Sequence, residues 1–299
     1  MTVVAIVGPT ATGKSALSLA LAEALAGEVV NADSMQLYRG MDIGTAKLTP
    51  AQRHGVAHHV LDIWDVTEPA SVAEYQRLAR QAIDGILARG RTPLLIGGSG
   101  LYVRAALEEF EFPGTDPALR ARLEAELAEH GPGPLYARLR ERDPEAATRI
   151  LPSNGRRIVR ALEVISLTGG PFTAALPDPR PVYNSVLLGL DSAHLDERVA
   201  TRVDHMWAAG FVDEVRALEA HGLRDGRTAS RALGYQQVLR FLAGECTEPV
   251  ARAETVRATR RFVRRQRSWF RRDPRIAWLD AARPDLVPAA TKVIRDGLR

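Results

Sequence analysis

The 299-residue chain holds a single cysteine, Cys246, so no intrachain disulfide can staple it and nothing points to an oxidising compartment. Lysine is almost as scarce. Lys14, Lys47 and Lys292 are the only three, and arginine supplies the other 37 basic side chains. No apolar run approaches the ~18 residues of a membrane span, so no membrane partner is expected. The first residues, Met1 to Val7, lack a basic segment ahead of their apolar run and read as a strand rather than a signal peptide. A cytoplasmic protein is expected. With 45% hydrophobic and 25% charged residues, wholesale disorder and collagen-like or disulfide-scaffold classes are excluded.

The charge is unevenly placed. Residues 252–275 carry ten arginines against Glu254 and Asp273, a local balance of +8, which leaves the rest of the chain at −4. A dense basic stripe on a mildly acidic body fits a polyanion such as nucleic acid; a solvated helix face is the alternative. Phe262, Trp269 and Phe270, spaced by seven and eight, are expected on one helical face as core contacts, with arginines covering the rest.

Along the first hundred residues strand and helix alternate. Strands are expected at 2–7, 28–32 and Thr92–Gly98, and helices at 15–26 and 72–89. Apolar residues on both faces of the third strand indicate a buried parallel sheet with crossover helices. From Phe112-Pro113-Gly114 the texture changes to short charged helices at about 117–130, 135–142, 144–150 and 155–167, closed by Gly169-Gly170-Pro171, Pro177, Pro179 and Pro181. A strand at 185–190 then returns to the sheet, and 194–272 reads as helical, broken at Gly210, Gly222 and Gly234. The expected fold class is α/β: a parallel-sheet core over 1–112 and 181–299, with an all-helical domain inserted at 113–180.

Gly8-Pro9-Thr10-Ala11-Thr12-Gly13-Lys14-Ser15 matches G-x-x-x-x-G-K-[ST] between a strand and a helix, the context a phosphate-binding loop requires. Backbone N–H groups and the helix N-terminus cradle phosphate oxygens, Lys14 adds a charge, and Ser15 can hold Mg²⁺. A P-loop hydrolase usually carries an acid on a core strand, yet the strand at Leu94-Leu95-Ile96 ends in Gly97-Gly98-Ser99-Gly100. The acid sits instead after the second strand, in Asn31-Ala32-Asp33-Ser34. Parallel strands present their C-terminal ends on one edge, so Asp33 is expected beside the loop, as a general base, a Mg²⁺ ligand or only a turn cap. His54, His58 and His59 lack a nearby cysteine and a fourth ligand, so zinc is not expected.

GPTATGKS, NADSMQLYRGMDIGTAK (31–47), LLIGGSGLY (94–102), RRIVRALEV (156–164) and RALGYQQ (231–237) occur in that order. Together they resemble the bacterial tRNA dimethylallyltransferases essentially end to end, and the resemblance implies a P-loop nucleoside-triphosphate-hydrolase/kinase-like core with an inserted helical domain. It implies transfer of a dimethylallyl group from dimethylallyl diphosphate to N6 of adenosine 37, next to the anticodon of tRNA, with Mg²⁺ as cofactor and the anticodon stem-loop as partner. It assigns the general base to Asp33, the bridging diphosphate oxygen to Thr10 and a diphosphate contact to Arg202, although Arg198 shares that helical face and either arginine could serve. The diphosphate site is then Gly8 to Ser15. The implied tRNA-binding residues are Asp33, Ser34, Met35, Gln36, Ser99 and Arg120, then Arg156, Arg157, Ile158, Val159 and Arg160, then Arg231, Ala232, Leu233, Gly234, Tyr235 and Gln236. Ser99 departs from the threonine common at its position but keeps the hydroxyl. Tyr235, Gln236 and Gln237 offer stacking and hydrogen-bonding groups for a flipped base, or else a helix N-terminus packed on the core. Arg260, Arg264 and Arg271 are expected on RNA phosphates. A small-molecule kinase, a non-catalytic RNA binder and a prenyltransferase of free adenine nucleotides are the competing readings. The sequence is silent on oligomeric state, a monomer being the working expectation.

Overall fold

The computed structural model describes residues 2–173 and 178–297; Pro177, expected to help close the insertion, lies outside the described residues. The chain divides into two compact units, Met1–Glu109 with Pro181–Arg299, and Phe110–Arg180.

The first unit begins β1 (Val3–Val7), α1 (Lys14–Ala24), β2 (Gly27–Asn31), β3 (His58–His59), α2 (Val72–Ala88), β4 (Thr92–Gly97) and α3 (Gly100–Leu107). The second unit contributes α4 (Pro117–His130), α5 (Pro132–Arg142), α6 (Pro144–Arg149) and α7 (Gly155–Thr168). The first resumes with β5 (Ser185–Asp191), α8 (Leu195–Ala208), α9 (Phe211–Ala220), α10 (Tyr235–Leu242), α11 (Glu248–Phe270), β6 (Ala277–Asp280) and α12 (Leu286–Gly297).

The six strands form one parallel sheet in the order β3-β2-β4-β1-β5-β6. Every residue of β1 is buried because the strand is central and covered on both faces, which its unbroken Val-Val-Ala-Ile-Val run requires. Leu17 and Leu21 of α1 and Ala290 and Ile294 of α12 pack with Val4, Ile6, Leu94 and Leu188 in the main core. Because all strands run one way, the segments after β1, β2 and β4 leave the sheet at the same edge. The loop Gly8–Gly13, Asp33 and Ser99 therefore become neighbours.

The second unit is helical. Asp116, Asp143 and Asn154 cap α4, α6 and α7 by accepting from Leu119, Ala146 and Arg157 N–H, and a proline stands at the start of α4, α5 and α6. Its core is Leu123, Leu135, Leu139, Ile158, Leu162 and Ile165, with their neighbours. Among the described residues no helix is long and apolar enough to cross a membrane.

Candidate active site

The loop between β1 and α1 is held by three positive φ angles: 129° at Gly8, 65° at Ala11 and 87° at Gly13. Gly8 has no alternative, since a Cβ there would overlap the Leu190 carbonyl. Ala11 adopts the left-handed region without glycine's freedom, a local strain that the surrounding loop sustains. Thr12 Oγ1 donates to Pro9 O at 2.9 Å, and Lys14 Nζ donates to Gly8 O at 3.0 Å and Pro9 O at 2.5 Å. Burial pushes the Lys14 ammonium down to about 7; the Asp33 charge opposes the shift and Arg202 adds to it.

Asp33 is fixed by its neighbours. Asn31 Oδ1 accepts from Asp33 N–H at 2.9 Å, while Asn31 Nδ2 donates to Asp33 O and Val60 O, each at 3.0 Å. One carboxylate oxygen, Oδ1, accepts from Met35 N–H at 3.0 Å, so the turn-capping bond does form and engages one oxygen of the two. Ser99 Oγ accepts from Ser34 N–H at 3.2 Å, tying the β2 and β4 exits together.

Thr10, Asp33, Ser34, Met35, Ser99 and Arg202 line one cavity of about 290 Å³. Arg231, Ala232, Leu233, Gly234 and Tyr235 also line it, and Val199, Val203, Met206 and Phe262 add apolar surface. Arg202 Nη2 donates to Thr45 O at 3.2 Å; burial pulls its guanidinium pKa down while the Asp33 charge holds it up. Arg198 stands on the helix side of the loop, its Nη2 3.8 Å from where a Cβ on Gly13 would sit. Of the two candidates, Arg202 faces the cavity.

Other expected residues stand elsewhere. Gln36 donates to Thr45 O at 3.2 Å and lines a separate small pocket with Ser15, Asn31 and His58. Tyr235 is fully buried, its ring edge-on to Phe211 and its hydroxyl donating to Glu214 Oε1 at 2.6 Å, so it offers no stacking platform. Gln237 Oε1 accepts from Gly234 N–H at 2.8 Å and caps α10. Gln236 is exposed on a neighbouring polar cleft of about 390 Å³ with Arg240, Arg257 and Arg261.

In the helical unit Arg156 and Arg157 are exposed. Ile158 and Val159 are core residues, so their side chains face the interior instead of a ligand. Arg120 and Arg160 both bind Glu163, which has no exposed surface. Burial pushes the Glu163 carboxyl up, but these hydrogen bonds outweigh it and hold the group below the usual range.

α11 corrects two expectations. Its buried line is Ala251, Thr255, Thr259, Val263, Gln266 and Phe270, mostly small or polar side chains. Phe262 belongs to the cavity wall and Trp269 is 38% exposed, so the three aromatics do not share a core face. The arginines are sorted as well. Arg267 and Arg271 bind Asp191 at 2.8 and 2.9 Å, and Arg260 donates to Asp196 O at 3.0 Å. Arg261 and Arg265 have no acidic partner among the described residues; Arg261 borders the polar cleft and Arg265 the main cavity. Two of the three arginines expected on phosphate, Arg260 and Arg271, are thus also bonded within the chain.

Gln266 and Glu214 are the residues that sequence reasoning missed. Gln266 Oε1 accepts from Thr10 N–H at 3.0 Å and its Nε2 donates to Gly98 O at 2.9 Å. Gln266 is the one glutamine in residues 248–270, and nothing in the sequence marks it as buried. The histidines are engaged locally: His59 Nε2 lies 2.6 Å from Glu28 Oε2, and His58 Nδ1 2.9 Å from Val56 O.

Among the described residues no group of three His, Cys, Asp or Glu could hold a metal ion. A lone hydroxyl such as Ser15 at the start of α1 is a donor set that suits Mg²⁺, which keeps several waters and takes other oxygens from substrate phosphates.

The IPP transferase family model matches residues 36–273. The tRNA dimethylallyltransferase of Salinispora arenicola is 76% identical over all of this chain and 88% of its own length, and that of Thermobifida fusca is 67% identical over 98% and 94%. Among solved structures, the full-length tRNA isopentenylpyrophosphate transferase of Bacillus halodurans is 40% identical, with a TM-score of 0.71 over 99% of this chain and 94% of that one. A eukaryotic dimethylallyltransferase acting on tRNA reaches a TM-score of 0.81 at 26% identity, over 98% and 77%. By family match and full-length relatives alike, this chain belongs to the IPP transferase family and is a prenyltransferase.

Proposed function

We propose that the chain transfers a dimethylallyl group from dimethylallyl diphosphate to N6 of adenosine 37 in tRNA, releasing diphosphate. Its full-length relatives, named tRNA dimethylallyltransferases at 67–76% identity, support the reaction class. The observation that carries the finer reading is the convergence of Thr10, Asp33 and Arg202 on one cavity, with Lys14 in electrostatic contact with Asp33 and Arg202.

In the reaction the allylic C–O bond breaks, a C–N bond forms at N6, and the amine must lose a proton. Asp33 is the base that takes it, its carboxylate oriented by the Met35 N–H and its backbone held by Asn31. Charge that develops on the departing diphosphate is met by Lys14, Arg202, Thr10 and the loop amides. Ser15 would hold Mg²⁺, which when bound would supply further charge to the diphosphate oxygens. The apolar surface of Val199, Val203, Met206 and Phe262 suits a five-carbon tail and shields the allylic centre from water. Arg261 and Arg265 supply charge for RNA phosphates at the cavity's margin, which positions the substrate without reading its sequence.

Mass spectrometry of nucleosides, after incubation of unmodified tRNA with dimethylallyl diphosphate and Mg²⁺, tests the reading. N6-isopentenyladenosine at position 37 is expected. Its absence, or the same product on free adenine nucleotides but not on tRNA, overturns it.

A further inference from the structure

Glu214 lies on α9, outside the diphosphate loop and the Asp33 turn, yet it holds Gly44 and Tyr235, which line the same cavity. Its Oε2 accepts from Asp42 N–H at 3.1 Å and Ile43 N–H at 2.6 Å, and its Oε1 accepts from Gly44 N–H at 3.1 Å and the Tyr235 hydroxyl at 2.6 Å. Three successive amides aimed at one carboxylate make an anion cradle that a side chain of the protein itself fills. Gly44 packs so closely that a Cβ would overlap Phe211 and lie 2.5 Å from Tyr235 Cε2. The next residue, Thr45, presents its carbonyl to Arg202 Nη2 and Gln36 Nε2, each at 3.2 Å.

A continuous path thus runs from Glu214 through backbone 42–45 to the Arg202 guanidinium. We propose that Glu214 is a positioning residue for the transfer: by clamping Asp42–Gly44 it sets the Thr45 carbonyl, and that carbonyl aims Arg202 at the diphosphate. Tyr235 is the second jaw of the clamp, which gives this buried tyrosine a task other than stacking on a base. The inference rests on the reading that Arg202 binds diphosphate.

Arg202 alone is a long side chain with many rotamers. Its only hydrogen-bond acceptor among the described residues is the Thr45 carbonyl, so the position of that carbonyl decides where the charge points. Glu214→Gln keeps the side chain's size but converts one acceptor into a donor, which faces at least one of the amides. Gly44→Ala displaces the same loop without touching the carboxylate. Both are expected to weaken diphosphate binding about tenfold, and Tyr235→Phe, which leaves all three amides bound, less than about threefold.

The test is calorimetric titration of the full chain with inorganic diphosphate and Mg²⁺, for wild type, Glu214→Gln, Arg202→Gln and the double variant, with thermal midpoints recorded alongside. A clamp acting through Arg202 predicts that Glu214→Gln costs about tenfold in the wild-type background and nothing further once Arg202 is gone. Equal losses in both backgrounds, or no loss in either, overturn the proposal while leaving the wild-type site standing. A wild-type chain that binds no diphosphate removes the reading of Arg202 and the clamp with it. If Glu214→Gln does not fold, the same cycle with Gly44→Ala decides the question by the same criterion.

Discussion

The backbone N–H of Thr10 donates to Oε1 of Gln266 at 3.0 Å, joining residues 256 positions apart in the chain. The other end of the same amide donates to Gly98 O, so one buried side chain ties the diphosphate loop to the exit of β4 and both to α11. Close approach is possible because Gly98 has no side chain; a Cβ there would overlap Gln266 Nε2.

Gln266→Leu leaves Thr10 N–H and Gly98 O without their partner in a buried setting. A drop of about 1–3 kcal/mol in stability is expected, with a raised KM for dimethylallyl diphosphate because Thr10 loses its anchor. Denaturant titration and steady-state kinetics check both halves. Unchanged stability and KM would show that the bridge is incidental.

Lys14 gives the site a pH dependence. Burial lowers its pKa to about 7 in the free protein, and a bound diphosphate must raise it again. The bound state therefore holds the proton more tightly, so affinity for diphosphate falls as pH rises above about 7, and binding at about pH 8 takes up a proton. Calorimetry in two buffers of different ionisation enthalpy measures that uptake. Lys14→Arg, charged throughout, should abolish it; an equal uptake in this variant would place the titration on another group.

Six of the arginines between residues 257 and 271 form two sets that a pair of triple variants can separate. Neutralising Arg257, Arg261 and Arg265 removes charge from the cleft and the cavity margin. It should flatten the salt dependence of log K for tRNA by about 0.7–0.9 for each RNA phosphate left unneutralised. Neutralising Arg260, Arg267 and Arg271 removes the same charge but breaks the bonds to Asp191, Ser192 and Asp196. That variant should lose stability and keep the wild-type slope. Identical slopes for the two triples would mean that only net charge matters.

How much of this was legible in the sequence follows from how local each signal is. β1, the loop after it and the start of α1 are written in thirteen consecutive residues from Val3 to Ser15, and the structure follows them closely. Asp33 needed one further step, the rule that parallel strands share an exit edge. β3 escaped because a strand of two histidines carries no alternation, and β6 because Ala277–Asp280 is too short to show a period. The orientation of Tyr235 was not legible at all. The same RALGYQQ run suits an exposed or a buried tyrosine, and the choice is made by Glu214 and Phe211 on α9. Gln266 was hidden for a similar reason. The hydrophobic spacing singles out Phe262 and Trp269, whereas the buried face of α11 is built from Thr255, Thr259 and Gln266.

Removal of the proton by Asp33 as the prenyl group arrives is measured by single-turnover transfer with Asp33→Ala. Enzyme in excess over tRNA, saturating dimethylallyl diphosphate and a parallel measurement of tRNA Kd separate chemistry from binding. A rate lowered by about 10²–10⁴-fold with Kd nearly unchanged is expected. A single-turnover rate close to wild type would contradict this role and leave Asp33 as a cap on the turn to Met35.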